Sequence, residues 1–149
     1  MIYSMKYNSL LALAILLLAF SGCKKELDLL SGKFFGVKEF LQSKNCDAKC
    51  GESAACEGQV AGLEGLFDES NINADLDQFY VLDSRNEDFK MEVQVDPAIS
   101  EEVFDLIRFR LTNDVRVRGE IEGFDQPMNF SCKRGFVLHL VNTDDLFTE

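Results

Sequence analysis

Phe89-Lys90-Met91-Glu92-Val93-Gln94-Val95-Asp96 alternates apolar and polar residues without a break. A period of two belongs to a β-strand, whose successive side chains point to opposite faces. The stretch predicts a strand with Phe89, Met91, Val93 and Val95 in a core and Lys90, Glu92 and Gln94 in water. Pro97, which has no N–H to give to a ladder, ends it. The period then changes. Ile99, Val103, Phe104, Leu106, Ile107 and Leu111 recur at helical spacing, and Ser100 is of the N-cap type. Glu101 and Glu102 suit the positive end of a helix dipole, and Arg108 and Arg110 the negative end. A helix is expected over 100–111.

Upstream, 56–65 (Cys-Glu-Gly-Gln-Val-Ala-Gly-Leu-Glu-Gly) reads as a first strand, with glycines that mark a bend or a close backbone approach. The acidic stretch 68–77 reads as a loop and 78–83 as a second strand. Downstream, 114–122 alternates with Val115, Val117 and Ile121 inward. Gly123 to Pro127 reads as a turn and 129–141 as a last strand. The polar tail 142–149 is left without structure. Before the strands, Val37, Phe40 and Leu41 predict a short helix, and 42–55 a cysteine-rich loop.

The order β-β-β-α-β-β resembles the OB-fold, a small barrel of five strands. The resemblance covers about 56–141. It is carried by Gly58-x-Val60-x-Gly62, Phe79-x-Val81-x-Asp83, Met91-x-Val93-x-Val95 and Val115-x-Val117-x-Gly119-x-Ile121. It implies a mainly β chain: a five-stranded OB-fold-like barrel with one helix between strands 3 and 4, preceded by the short helix and cysteine-rich loop. A β-sandwich and a lipocalin-like calyx are the alternatives, and both need more strands.

At the amino end, Leu10 to Phe20 is an apolar run of eleven residues, against roughly 20 for a bilayer-spanning helix. Lys6 precedes it, and small residues follow it before a cysteine. Leu18-Ala19-Phe20-Ser21-Gly22-Cys23 resembles the lipobox of bacterial lipoproteins, although Phe20 stands where Leu, Val or Ile is usual. The resemblance implies a signal peptide over 1–22 and a lipid on Cys23. Met5 offers an alternative start to Met1. The expected division is then signal 1–22, tether 23–33, short helix and cysteine-rich loop 34–55, and barrel 56–149. The expected location is the cell envelope, lipid-anchored in the outer membrane and facing the periplasm, with the cell surface as the alternative.

Four cysteines remain in the mature chain: Cys46, Cys50, Cys56 and Cys132. An even number in an exported chain points to two disulfides. The 42–55 segment is too polar to order itself, so one bond is expected to tie it to Cys132, from Cys50 or Cys56. The competing reading is a metal site. It lacks the paired C-x2-C to C-x4-C spacing of zinc sites.

Composition limits the function classes. The mature chain of 127 residues holds 14 Lys and Arg against 26 Asp and Glu, a net of −12. Such a charge repels nucleic acid at long range. With one histidine, His139, and no Trp, a His-based active site has little to build on. His139 reads as a wall residue of the last strand. Asp83, Asp125, Asp144 and Asp145 read as solvated turn residues. The series Asp68, Asn71, Asn73, Asp75, Asp77 has alternating oxygens like a calcium loop, but it lacks the EF-hand glycine and final glutamate. No metal or cofactor is expected, and no enzymatic activity.

The expectation is a non-catalytic binding or scaffold module. Its membrane contact is the Cys23 lipid, and its ligand an envelope protein, peptide or saccharide. Tyr80, Arg116 and Arg118 are the candidate ligand face. Single-stranded nucleic acid, the usual OB-fold ligand, is the alternative.

Overall fold

The computed structural model describes residues 24–67, 69–110 and 112–148. The expected signal segment 1–22 and the expected lipid site Cys23 lie outside the described residues. The fold is mainly β. Among the described residues, seven strands run in chain order: β1 (Phe34–Gly36), β2 (Val60–Leu66), β3 (Gln78–Leu82), β4 (Lys90–Val95), β5 (Asp114–Met128), β6 (Ser131–Leu140) and β7 (Leu146–Thr148). Among the same residues, two α-helices join them, α1 (Val37–Leu41) and α2 (Ser100–Arg108). No helix among the described residues is long and apolar enough to cross a membrane.

The sheet order is β1-β2-β3-β4-β6-β5-β7, and β5 also pairs with β2, which closes β2, β3, β4, β6 and β5 into a ring. Ring neighbours are antiparallel except β4 and β6, which are parallel. The β2–β3 join is a single pair, Leu66 with Leu82. The rest of that edge of β2 is taken by β1, which runs parallel to it from Phe34↔Gly62 to Gly36↔Glu64. Gly65 permits the join, because a Cβ there would collide with the Leu82 carbonyl oxygen.

Alternation places the core inside the ring. Met91, Val93 and Val95 are fully buried, Glu92 and Gln94 half-buried, and Lys90 exposed. Phe79 and Val81, Val115, Val117 and Ile121, and Phe136, Leu138 and Leu140 meet them from the other strands. Val103, Phe104 and Ile107 of α2 and Val37 and Phe40 of α1 complete it. At roughly 1.5–3 kcal/mol for each fully buried large apolar side chain, this cluster is the main driving force for folding.

The structure corrects several expectations. The 24–33 segment is mostly exposed but touches the domain at Leu27. Leu27 is buried, its N–H donates to Asn45 Oδ1 at 2.8 Å, and its carbonyl accepts from Asn45 Nδ2 at 3.1 Å. Cys46, Ala54 and Cys56 share the core with the ring, so the cysteine-rich loop and the strands are one packing unit. The first strand starts at Val60, and 56–59 is a turn.

Ser100 is the first residue of α2 and Ile99 its cap. The Ser100 hydroxyl instead donates to Asp77 Oδ1. The helix ends at Arg108. Gly123 to Pro127 is strand, not turn. β5 continues to Met128, and the turn is Asn129-Phe130. The tail carries β7, paired to the start of β5.

Candidate binding surface

β5 and β6 outrun the ring. β2 and β7 cover β5 as far as Glu120, and β4 covers β6 from Val137 to Leu140. Beyond Glu122↔Val137 the two strands pair only with each other, from Gly123↔Phe136 to Met128↔Ser131. They form an arm about 17 Å long at roughly 3.3 Å per residue.

One face of the arm is held by the cysteine-rich loop. Cys50 is bonded to Cys132, with Cα atoms 6.1 Å apart, and Cys46 to Cys56. Of the two partners open to Cys132, the structure pairs Cys50. Arg134 is nearly buried, its side chain 12% exposed. It donates to Glu57 at 2.6 and 2.7 Å and to Asp125 Oδ1 at 2.8 Å. The loop backbone completes the clamp, Gly51 N–H donating to Asp125 Oδ2 at 3.0 Å and Ala54 N–H to Glu57 Oε1 at 2.8 Å. Arg134 holds both carboxyls below their ordinary range, chiefly through these hydrogen bonds. Gly123 leaves room for this pair, since a Cβ there would push the Glu57 carboxylate or the Arg134 guanidinium aside.

Asp83 is therefore not a solvated turn residue, and Asp125, though exposed, sits on β5 paired with Arg134 rather than in a turn. Asp83 is buried and accepts from the N–H groups of Lys38, Arg85 and Asn86. Burial pushes its carboxyl up, and the three amides together outweigh that and hold it low.

Arg116 and Arg118 lie on the outer side of β5, next to Glu64 and Gly62 of β2 in the register. Both guanidinium groups lie over the ring of Phe34, at 5.6 and 5.1 Å from its centroid. Phe147 of β7 meets the same ring edge-on at 5.4 Å. Arg118 also donates to the Gly32 carbonyl at 3.1 Å. An arginine–aromatic strip results, beside a shallow hollow of about 300 Å³ lined by Glu64, Asp114, Arg116 and Phe147.

Sequence reasoning missed Phe34 and Phe147, because three-residue strands carry too little alternation to read. The only signal was an aromatic pair, Phe34-Phe35, in a polar stretch. Tyr80 is not brought to this strip. It sits toward β4, its hydroxyl donating to Glu92 at 3.3 Å and its ring under Lys90 at 4.8 Å. Burial first and the Glu92 charge second push that hydroxyl up.

His139 faces outward on β6 with its Nε2 2.6 Å from Glu122 Oε2. The surrounding hollow is lined by Glu57, Gly58, Glu120, Ile121, Glu122 and Gly123, none of which offers a hydroxyl or thiol nucleophile. Among the described residues, the metal-type cluster is Cys50, Asp125 and Cys132, whose two sulfurs are already bonded to each other. The 69–77 loop is drawn into short 3-10 turns, and Asp77 turns its carboxylate to Ser100. A second groove, about 640 Å³, lies along α2 between Leu106, Phe109 and Thr148. Comparison of the chain with protein-family models, with curated proteins and with solved structures finds no match.

Proposed function

We propose that this chain is an exported bacterial lipoprotein whose globular part is a non-catalytic binding module of the cell envelope. The observation that carries the proposal is the pair of disulfides, Cys46–Cys56 and Cys50–Cys132, in a chain that opens with a short apolar run ending in Ser21-Gly22-Cys23. Such bonds persist where thiols oxidise. Two or three acyl chains on Cys23 hold the domain at the outer membrane, facing the periplasm.

The closed ring of five strands and the parallel pairing of β4 with β6 support an OB-fold-like barrel. Within it, the Arg116–Phe34–Arg118 strip is the ligand face for an envelope protein, peptide or saccharide. Fractionation of cells tests the anchor. The wild-type protein is expected in the membrane fraction with incorporated fatty-acid label, and Cys23→Ala in the soluble fraction without it. Label retained by Cys23→Ala contradicts the proposal.

The same strip favours a second reading, single-stranded nucleic acid stacked on Phe34 between two arginines. The mature charge of −12 opposes it, since phosphate affinity comes chiefly from neutralising contacts. In fluorescence anisotropy at physiological salt, weak or absent binding to a single-stranded oligonucleotide is expected. Sub-micromolar binding that weakens with added salt and with Arg116→Ala would reverse the ranking.

A further inference from the structure

The hollow beside the arginine–aromatic strip does not stand alone. A second one, about 480 Å³, lies between α1, β2 and the turn after β3. The two share Glu64 and Ser84 as walls, so they form one continuous groove. Phe147 stands at one end, 39% exposed, with Phe34 packed edge-on against it. Lys38, Gln42 and Arg85 stand at the other. Hollows of about 300 and 480 Å³ fall in the range of small-ligand sites, roughly 300–1,000 Å³.

The groove has a fixed frame. Asp83, buried, lines its floor and accepts from the Lys38 amide on one wall and from the Arg85 and Asn86 amides on the other. One carboxylate thus sets the spacing of α1 and the turn before any ligand arrives, which lowers the ordering cost of binding.

The lining identifies the ligand class. Its charges are mixed: Lys38, Arg85 and Arg116 against Glu39, Glu64 and Asp114. A polyanion meets three carboxylates there and a polycation three positive side chains, so neither sign is favoured. Apart from Phe147 and the buried Val115, the walls are polar or glycine, which gives an apolar peptide side chain no recess. A ligand rich in hydroxyls matches these walls. Each hydroxyl both donates and accepts, and so suits a carboxylate, an amide and a guanidinium set side by side. Glu64, Gln42 and Arg85 are exposed, and their side chains have no hydrogen-bond or ion-pair partner among the described residues. A sugar ring also has an apolar C–H face, and the exposed ring of Phe147 can take it.

We propose that this groove binds a neutral oligosaccharide, with hydroxyls on Glu64, Gln42 and Arg85 and one sugar ring against Phe147. The inference rests on the reading of the Arg116–Phe34–Arg118 strip as a ligand face, and it selects saccharide from the classes named there.

Isothermal titration calorimetry of the full-length protein, in a detergent without sugar groups, tests it. The neutral probes are maltotetraose, cellotetraose, mannotetraose and tetra-N-acetylchitotetraose, with tetragalacturonate as the charged counterpart. At least one neutral probe is expected to bind. Its affinity should fall about tenfold in the double variant Glu64→Ala with Gln42→Ala and in Phe147→Ala, through lost hydrogen bonds and lost ring contact. Phe124→Ala, on the arm, should leave it unchanged. All four positions are exposed, so none of these changes opens the core. No neutral probe bound, or unchanged affinity in the double variant, overturns the inference. Tetragalacturonate bound instead, with affinity lost in Arg116→Ala, overturns it and leaves the strip standing as a ligand face. A neutral probe whose binding survives the double variant and Arg116→Ala alike overturns both.

Discussion

Asp83 Oδ2 accepts the Lys38 amide at 2.8 Å, and Oδ1 those of Arg85 and Asn86 at 3.0 and 3.1 Å. One carboxylate thus satisfies an otherwise orphan donor at the start of α1 and closes the turn after β3. Removing it leaves three partly buried donors without this acceptor, at a cost of about 1 kcal/mol or more. Asp83→Ala is expected to lower the urea midpoint accordingly, and Asp144→Ala, at an exposed position, to leave it nearly unchanged.

The pH dependence has a definite sign. Asp83, Glu57 and Asp125 titrate below their ordinary values in the fold. Their contribution is therefore fully present above the ordinary carboxylate range, near pH 4, and is lost as pH falls through the folded values. Urea midpoints measured against pH should decline below about pH 4, and less steeply in Asp83→Ala. None of this was legible from Asp83 itself, which follows a strand and precedes polar residues. Its decisive partner, Lys38, is 45 residues away.

Among the elements, β4 was the most legible, because strict alternation on a half-buried strand leaves one choice of face. β5 was misread for a physical reason. Gly123 and Pro127 are turn residues in most settings. Here Gly123 makes room for Glu57, and Pro127 sits on the arm, where β5 pairs with β6 alone. A strand with a free edge tolerates a residue that cannot donate. The disulfides differ by element as well. Cys50–Cys132 spans 82 residues and ties the arm to the loop, while Cys46–Cys56 spans 10 within the loop. In the chain-entropy model the longer loop is worth about 4–5 kcal/mol and the shorter about 3. Replacing Cys50 and Cys132 with Ser should therefore lower the urea midpoint more than replacing Cys46 and Cys56. Hydrogen exchange should then speed up first at 124–135. Equal losses, with no local change in exchange, would count against the arm being stapled.

At the scale of the molecule, the candidate site was only half visible. Arg116 and Arg118 stood out as cations on an alternating strand. The ring between them, Phe34, belongs to a three-residue strand that inserts beside β2, and no local pattern announces such an insertion. Tyr80 belongs elsewhere on the surface. The 24–33 segment was also only half visible. The cysteine pattern implied a staple, but the docking of 24–33 depends on Asn45 and Asp47 across the loop. The stapled loop and the apolar arm meet through Cys50–Cys132 and the Asp125 clamp. The most direct test is intact-mass and tandem mass spectrometry of the N-terminal peptide from protein purified out of membranes. The expected species begins at Cys23, with acyl groups on its thiol and amine and residues 1–22 absent. An unmodified Cys23 still preceded by Gly22 would contradict it.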